Sequence, residues 1–96
     1  MSTDVVVSDH PDRNRFEAHL DGELAGFAEY RISRGRITFT HTEVDDAFEG
    51  RGVGSSLARG ALDAVAADGG LEVRALCPFI KGWIDKHPDY AHLLAG

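Results

Sequence analysis

The chain has a single cysteine, Cys77, among 96 residues. No disulfide can form within it and no cysteine-cluster metal site can be built. A lone free thiol fits a reducing compartment. Cations are scarce too: 10 Lys and Arg stand against 16 Asp and Glu, a net charge of −6. That balance argues against a broad electrostatic grip on nucleic acid or anionic lipid, so any anion must be held locally. No apolar stretch approaches the roughly 18 residues of a membrane span. The opening Met1-Ser2-Thr3-Asp4-Val5-Val6-Val7 lacks a basic end and a long apolar run, so no signal peptide is expected. A cytoplasmic location follows as the expectation. The five histidines fall at no zinc-binding spacing, so no metal site is predicted.

What is present suits a soluble globular chain: 43% hydrophobic and 27% charged residues. The length fits one domain over 1–96, large enough to fold alone with modest stability. Strands come first. Phe16, Ala18 and Leu20 alternate with Arg15, Glu17 and His19, the pattern of a half-buried strand. Asp21-Gly22 is a hairpin signal. Leu24, Gly26, Ala28, Tyr30 and Ile32 then share one face up to a turn at Arg34-Gly35. Arg36 to Val44 is rich in β-branched residues. With Val5 to Val7 as an edge, three or four antiparallel strands in a meander are predicted.

The period then changes. Val53, Leu57, Ala61 and Val65 recur every four residues, flanked by Ala58, Leu62 and Ala66, which reads as a helix of about four turns. Gly60 weakens it but allows close packing on a sheet. Asp68-Gly69-Gly70 supplies the stop. Leu71 to Cys77 alternates again as a strand. Pro78 opens a second helix whose apolar side carries Phe79, Ile80, Trp83, Ile84 and His87, and Pro88 blocks its continuation. Strands, helix, strand, helix make an α+β fold.

The strand-to-helix junction is Phe48-Glu49-Gly50-Arg51-Gly52-Val53-Gly54-Ser55. Glycines let a ligand approach the main chain without meeting a Cβ. The first amides of the helix lack intrahelical partners and carry the positive end of its dipole, a cradle for phosphate. The same glycines also suit a turn that binds nothing. The spacing is neither that of a nucleotide P-loop nor that of a dinucleotide fingerprint.

This order of elements resembles the GNAT superfamily of acyl-CoA-dependent N-acetyltransferases. His41-Thr42-Glu43-Val44, then Gly50-Arg51-Gly52-Val53-Gly54 and Leu57, is similar to that superfamily's cofactor strand, pyrophosphate loop and helix. Leu76-Cys77-Pro78-Phe79, with Ile84 and His87-Pro88-Asp89-Tyr90, resembles a family of very small cysteine-containing acetyltransferase-like proteins. The resemblance spans roughly Leu20 to Tyr90. It implies a mixed, mainly antiparallel sheet with a glycine-turn helix and a C-terminal helix, and it implies acetyl-CoA as cofactor. Main-chain groups of Thr42, Glu43 and Val44 would pair with the pantetheine amides. The pyrophosphate would lie on Gly50, Arg51, Gly52, Val53, Gly54 and Ser55, with Pro78 and Phe79 also at the cofactor. Glu49 departs from the Gln or Arg usual there and has to point away.

The resemblance places Cys77 near the acyl group, as acyl acceptor or as proton donor to the departing thiolate. On strand pattern alone Cys77 shares a face with Leu71, Val73 and Ala75 and reads as a small buried hydrophobe. The helix that often supplies a tyrosine acid carries Trp83, which has no acidic proton, and neither Tyr30 nor Tyr90 replaces it. His41, read onto the Ile37/Phe39 face, is a candidate general base, or a strand-end histidine bonded to backbone. Glu43 shares its face and would orient it or attract a cationic amine. His87 reads as a helix-end cap, and His10, His19 and His92 as solvated. Asp45-Asp46 reads as a solvated turn, with recruitment of a basic substrate as the alternative. The expected function is acetyl transfer to an unidentified amine acceptor. The alternative is a CoA-binding module without turnover. A homodimer could complete a thin acceptor site.

Overall fold

The computed structural model describes residues 5–48 and 50–94; Glu49, whose orientation the sequence put in question, lies outside them. The first half folds into four strands: β1 (Val5–His10), β2 (Arg15–Leu20), β3 (Glu23–Ser33) and β4 (Arg36–Val44). They pair antiparallel in chain order. Helix α1 (Val53–Asp68) follows, and β5 (Glu72–Ala75) then joins the sheet parallel to β4. Helix α2 (Pro78–Lys86) and a 3-10 segment, Pro88–Leu93, complete the order. The result is the α+β order that the hydrophobic periods predict, with the mixed, mainly antiparallel sheet that the resemblance implies. Among the described residues no helix is long and apolar enough to cross a membrane.

Backbone chemistry explains the hairpins. Asp21 and Gly22 have φ of 52° and 81°, and Arg34 and Gly35 have 53° and 76°. Two consecutive positive φ values make the tight turn whose twist matches the flanking strands. Two register shifts interrupt the regular pairing. Ala18 faces Gly26 but His19 faces Leu24, so Ala25 is an extra residue in β3. Tyr30 faces Phe39 but Glu29 faces His41, so Thr40 is an extra residue in β4. Each bulge inverts the alternation beyond it. The expected face of β3 is corrected accordingly: Leu24 pairs with His19 and is exposed, while Ala25 is buried.

Helix α1 lays Val53, Leu57, Ala58, Ala61, Leu62 and Val65 over Phe16, Ala18, Leu20, Tyr30, Ile37 and Phe39. Ala66, expected on that stripe, points to solvent. Gly60 allows the approach: a Cβ there would lie 2.7 Å from Cβ of Val7. The helix stops at Gly69 in the left-handed conformation, as its sequence predicts. Strand β5 is shorter than Leu71 to Cys77, because the amides of both Leu76 and Cys77 turn to the carbonyl of Phe39.

The sheet face away from α1 holds an unexpected charge cluster. Glu17, on the polar side of the predicted half-buried strand, has a side chain only 3% exposed. Arg15 donates to its Oε2 at 2.8 Å and Arg13 at 3.2 Å. His10 and His19, read from sequence as solvated, place Nε2 at 3.4 and 3.6 Å from its Oε1. Burial raises the Glu17 pKa, but the bond from Arg15, the charge of His10 and the bond from Arg13 outweigh it. The carboxyl is held below its ordinary 4.5. A depressed folded pKa contributes stability above the unfolded value, which is lost as pH falls through the folded one. Glu17→Gln should therefore lower the melting temperature at pH 7. The gap from wild type should narrow as pH drops below 4.5. A gap that stays constant from pH 7 into strong acid would show that the Glu17 charge does not matter.

Candidate functional site

The Thr40 bulge builds the site. Strands β4 and β5 pair from Arg36↔Glu72 to Phe39↔Ala75. There β5 ends and the chain turns into α2, while β4 continues through Val44 against β3. The β5-facing edge of Thr40 to Val44 therefore has no strand partner among the described residues. Parallel strands that part in this way leave backbone donors and acceptors open to an extended ligand.

Cys77 sits where the strands part. It is the N-cap residue of α2, in extended conformation. Its Sγ–H donates to Oγ1 of Thr42 across the gap at 3.3 Å, and the residue is 3% exposed. Thr42 pairs with buried Ala28, so its side chain lies on the α1 face. His41 does not. The sequence reading put it with Ile37 and Phe39, but the extra residue at Thr40 turns it to the opposite face. There its Nε2 lies 3.3 Å from Oε1 of Glu43, and both side chains are more than half exposed. The expected His41–Glu43 pair thus forms, on the other side of the sheet from Thr42 and Cys77. Neither tyrosine reaches the gap: Tyr30 donates to Asp9 at 2.6 Å and Tyr90 to Asp63 at 2.6 Å. Burial and Asp9 raise the Tyr30 phenol, and the bond to Asp63 raises that of Tyr90.

At the far end of β4, Asp45 anchors the turn, its Oδ1 accepting the Ala47 amide at 2.9 Å. Gly50 and Gly52 follow with φ of 81° and 74°. Gly52 is the N-cap of α1, and no side-chain cap hydrogen bond is made there among the described residues. The first intrahelical bond runs from the Ser56 amide to the Gly52 carbonyl. The amides of Val53, Gly54 and Ser55 precede it and have no acceptor within the helix. Gly54 has a different reason to be glycine: a Cβ there would lie 2.8 Å from Cζ of Phe79 and 3.6 Å from Val44. Val44, Gly54 and Phe79 thus meet at the helix start, and Phe79 remains 41% exposed beside it.

One contact escaped the sequence reading. The indole Nε1–H of Trp83 donates to Oγ of Ser55 at 3.1 Å, joining α2 to the first turn of α1. Trp83 appeared only as an apolar helix residue lacking an acidic proton. Its place as the sole tryptophan, one turn beyond Phe79, was the available signal. His87 caps α2 as expected, its Nδ1 2.7 Å from the Trp83 carbonyl.

Residues 15–93 match the sequence pattern of a family described as GCN5-related N-acetyl-transferase. Protein NATD1 of Mus musculus is 31% identical over 86 residues, covering 88% of this chain and 77% of that protein. Protein NATD1 of Xenopus tropicalis is 29% identical over 89 residues, covering 91% and 81%. A solution structure of a GCN5-like putative N-acetyltransferase from Staphylococcus aureus shares the fold over 100% of this chain and 92% of its own, with a TM-score of 0.71 and 24% identity. The PaiA N-acetyltransferase of Thermoplasma acidophilum, solved in complex with coenzyme A, has a TM-score of 0.58 at 19% identity. It is covered over 48% of its length, against 78% of this chain.

Proposed function

Because the chain belongs to the GCN5-related N-acetyltransferase family, we propose that it binds acetyl-CoA along the parted edge of β4 and transfers the acetyl group to an amine. The observation that carries this reading is the divergence of β4 from β5 at the Thr40 bulge, with Cys77 where they part. The residues suit such a cofactor. The unpaired edge of Thr42, Glu43 and Val44 offers amide partners to pantetheine. The N-terminus of α1, entered through Gly50, Arg51 and Gly52, offers Val53, Gly54 and Ser55 amides to a pyrophosphate. Pro78 and Phe79 would wall the cleft on the α2 side.

Acetyl-CoA would supply an activated acetyl thioester. Thr42 holds the Cys77 thiol at the parting of the strands, where it would accept the acetyl group or protonate the departing sulfur. His41, steadied by Glu43 on the opposite sheet face, would take a proton from an amine arriving from that side. The low exposure of Cys77 favours a second reading, a CoA-binding module without turnover.

Coenzyme A should stabilise the fold. At 100 times its dissociation constant a ligand adds about 2.7 kcal/mol. For a domain of this size that raises the melting temperature by on the order of 10 °C. No shift at millimolar CoA would overturn the proposal. A shift without acetylated product across a panel of amines would select the second reading.

A further inference from the structure

The aromatic cluster on α2 holds Trp83 more firmly than filling space requires. His87 stacks on the indole with ring centroids 3.8 Å apart and planes 14° from parallel. Tyr90 meets it edge-on at 5.0 Å, and the Arg59 guanidinium lies 5.3 Å from its ring. Two of these neighbours are themselves fixed: His87 by the Trp83 carbonyl, Tyr90 by Asp63. The indole is therefore locked in orientation, and its one N–H is aimed at Ser55 in the first turn of α1.

A serine hydroxyl has one proton and two acceptor lone pairs. Accepting the indole N–H occupies one lone pair and leaves the proton to donate elsewhere; bonds in such a chain polarise one another. Ser55 stands beside the free amides of Val53 and Gly54, where the helix dipole favours negative charge. We infer that Trp83 is a positioning residue for anion binding: through Ser55 it turns a hydroxyl donor toward a phosphate group at the N-terminus of α1. The inference rests on the CoA reading and adds α2 to the phosphate-holding elements. The competing explanation is that a buried indole simply needs an acceptor and Ser55 provides it. In that case the bond serves Trp83 alone.

Affinities for CoA and for pantetheine, which lacks the phosphates, separate the two. Trp83→Phe keeps the ring for His87, Tyr90 and Arg59 but removes the N–H, and circular dichroism checks its fold. Ser55→Ala, at an exposed helix position, removes the hydroxyl. Each should weaken CoA binding roughly tenfold, the scale of one hydrogen bond to a charged group. The double variant should bind no more weakly than Ser55→Ala, because the two act through one chain of bonds. Ser55→Thr should retain wild-type affinity, and pantetheine affinity should not change in any variant. Equal losses for CoA and pantetheine, additive losses in the double variant, or full CoA affinity in Ser55→Ala would overturn the inference. A wild-type protein that binds no CoA would instead overturn the functional reading, and this inference with it.

Discussion

Cys77→Ser should bind CoA within a few-fold of wild type and lose both an acetyl adduct and most transfer activity. The phosphate and pantetheine contacts proposed above come from backbone groups and the Ser55 hydroxyl, away from Cys77, so affinity does not depend on the sulfur. The serine keeps the size, the proton and a partner in Thr42, which now sits 3.3 Å from the thiol. What it loses is nucleophilicity, since a hydroxyl at neutral pH attacks a thioester far more slowly than a thiolate. Mass spectrometry after incubation with acetyl-CoA should find a hydroxylamine-labile adduct on the Cys77 peptide of the wild type alone. A serine variant that transfers acetyl at the wild-type rate would rule out the covalent route. Full activity in wild-type protein alkylated at Cys77 would reduce the residue to packing and make His41 the next target.

Gly52→Val should abolish measurable CoA binding in a protein that still folds. The space beside Gly52 is open, with no atom within 4 Å of where a Cβ would stand. A valine there meets no neighbour but must adopt φ near 74°, at a cost of about 1–2 kcal/mol. It would also stand at the mouth of the helix where an anion has to reach the Val53 and Gly54 amides. Losing two charge-assisted bonds is worth on the order of a hundredfold in affinity. Gly69 is the control. It has φ of 73° and equally open space, but at the other end of α1. Gly69→Val should suffer the same backbone strain and bind CoA normally. If the two variants behave alike, strain rather than an obstructed cradle explains the loss.

The sequence foretold the parts of the fold that depend on neighbours in the chain. Asp21-Gly22 and Arg34-Gly35 turn because their backbones tolerate positive φ, and α1 announces itself through a stripe that repeats every turn. Cys77 at a strand end before Pro78 was legible for the same reason. The bulges were not, since neither Ala25 nor Thr40 differs in kind from residues that pair normally; one extra residue was enough to put His41 on the wrong face. Glu17 looked like any outward strand residue. Its burial arises from His10 on β1 and from Arg13, which the preceding turn brings back over β2. The Trp83–Ser55 bond joins residues 28 positions apart, and no local pattern encodes such a distance.

The Thr40 bulge works as a change of parity in β4. Before it, odd-numbered residues face the helix; after it, even-numbered ones do. The strand can therefore offer Phe39 and Thr42 to one side, the first to fill the core and the second to hold a thiol. A strand that kept Thr40 but paired it in regular alternation would exchange the two sides of everything downstream. The imidazole would enter the apolar interior, and the hydroxyl that meets Cys77 would turn out to water. Deleting Thr40 should thus leave Phe39, His41 and Thr42 on their present sides, because it removes the surplus residue and restores regular pairing.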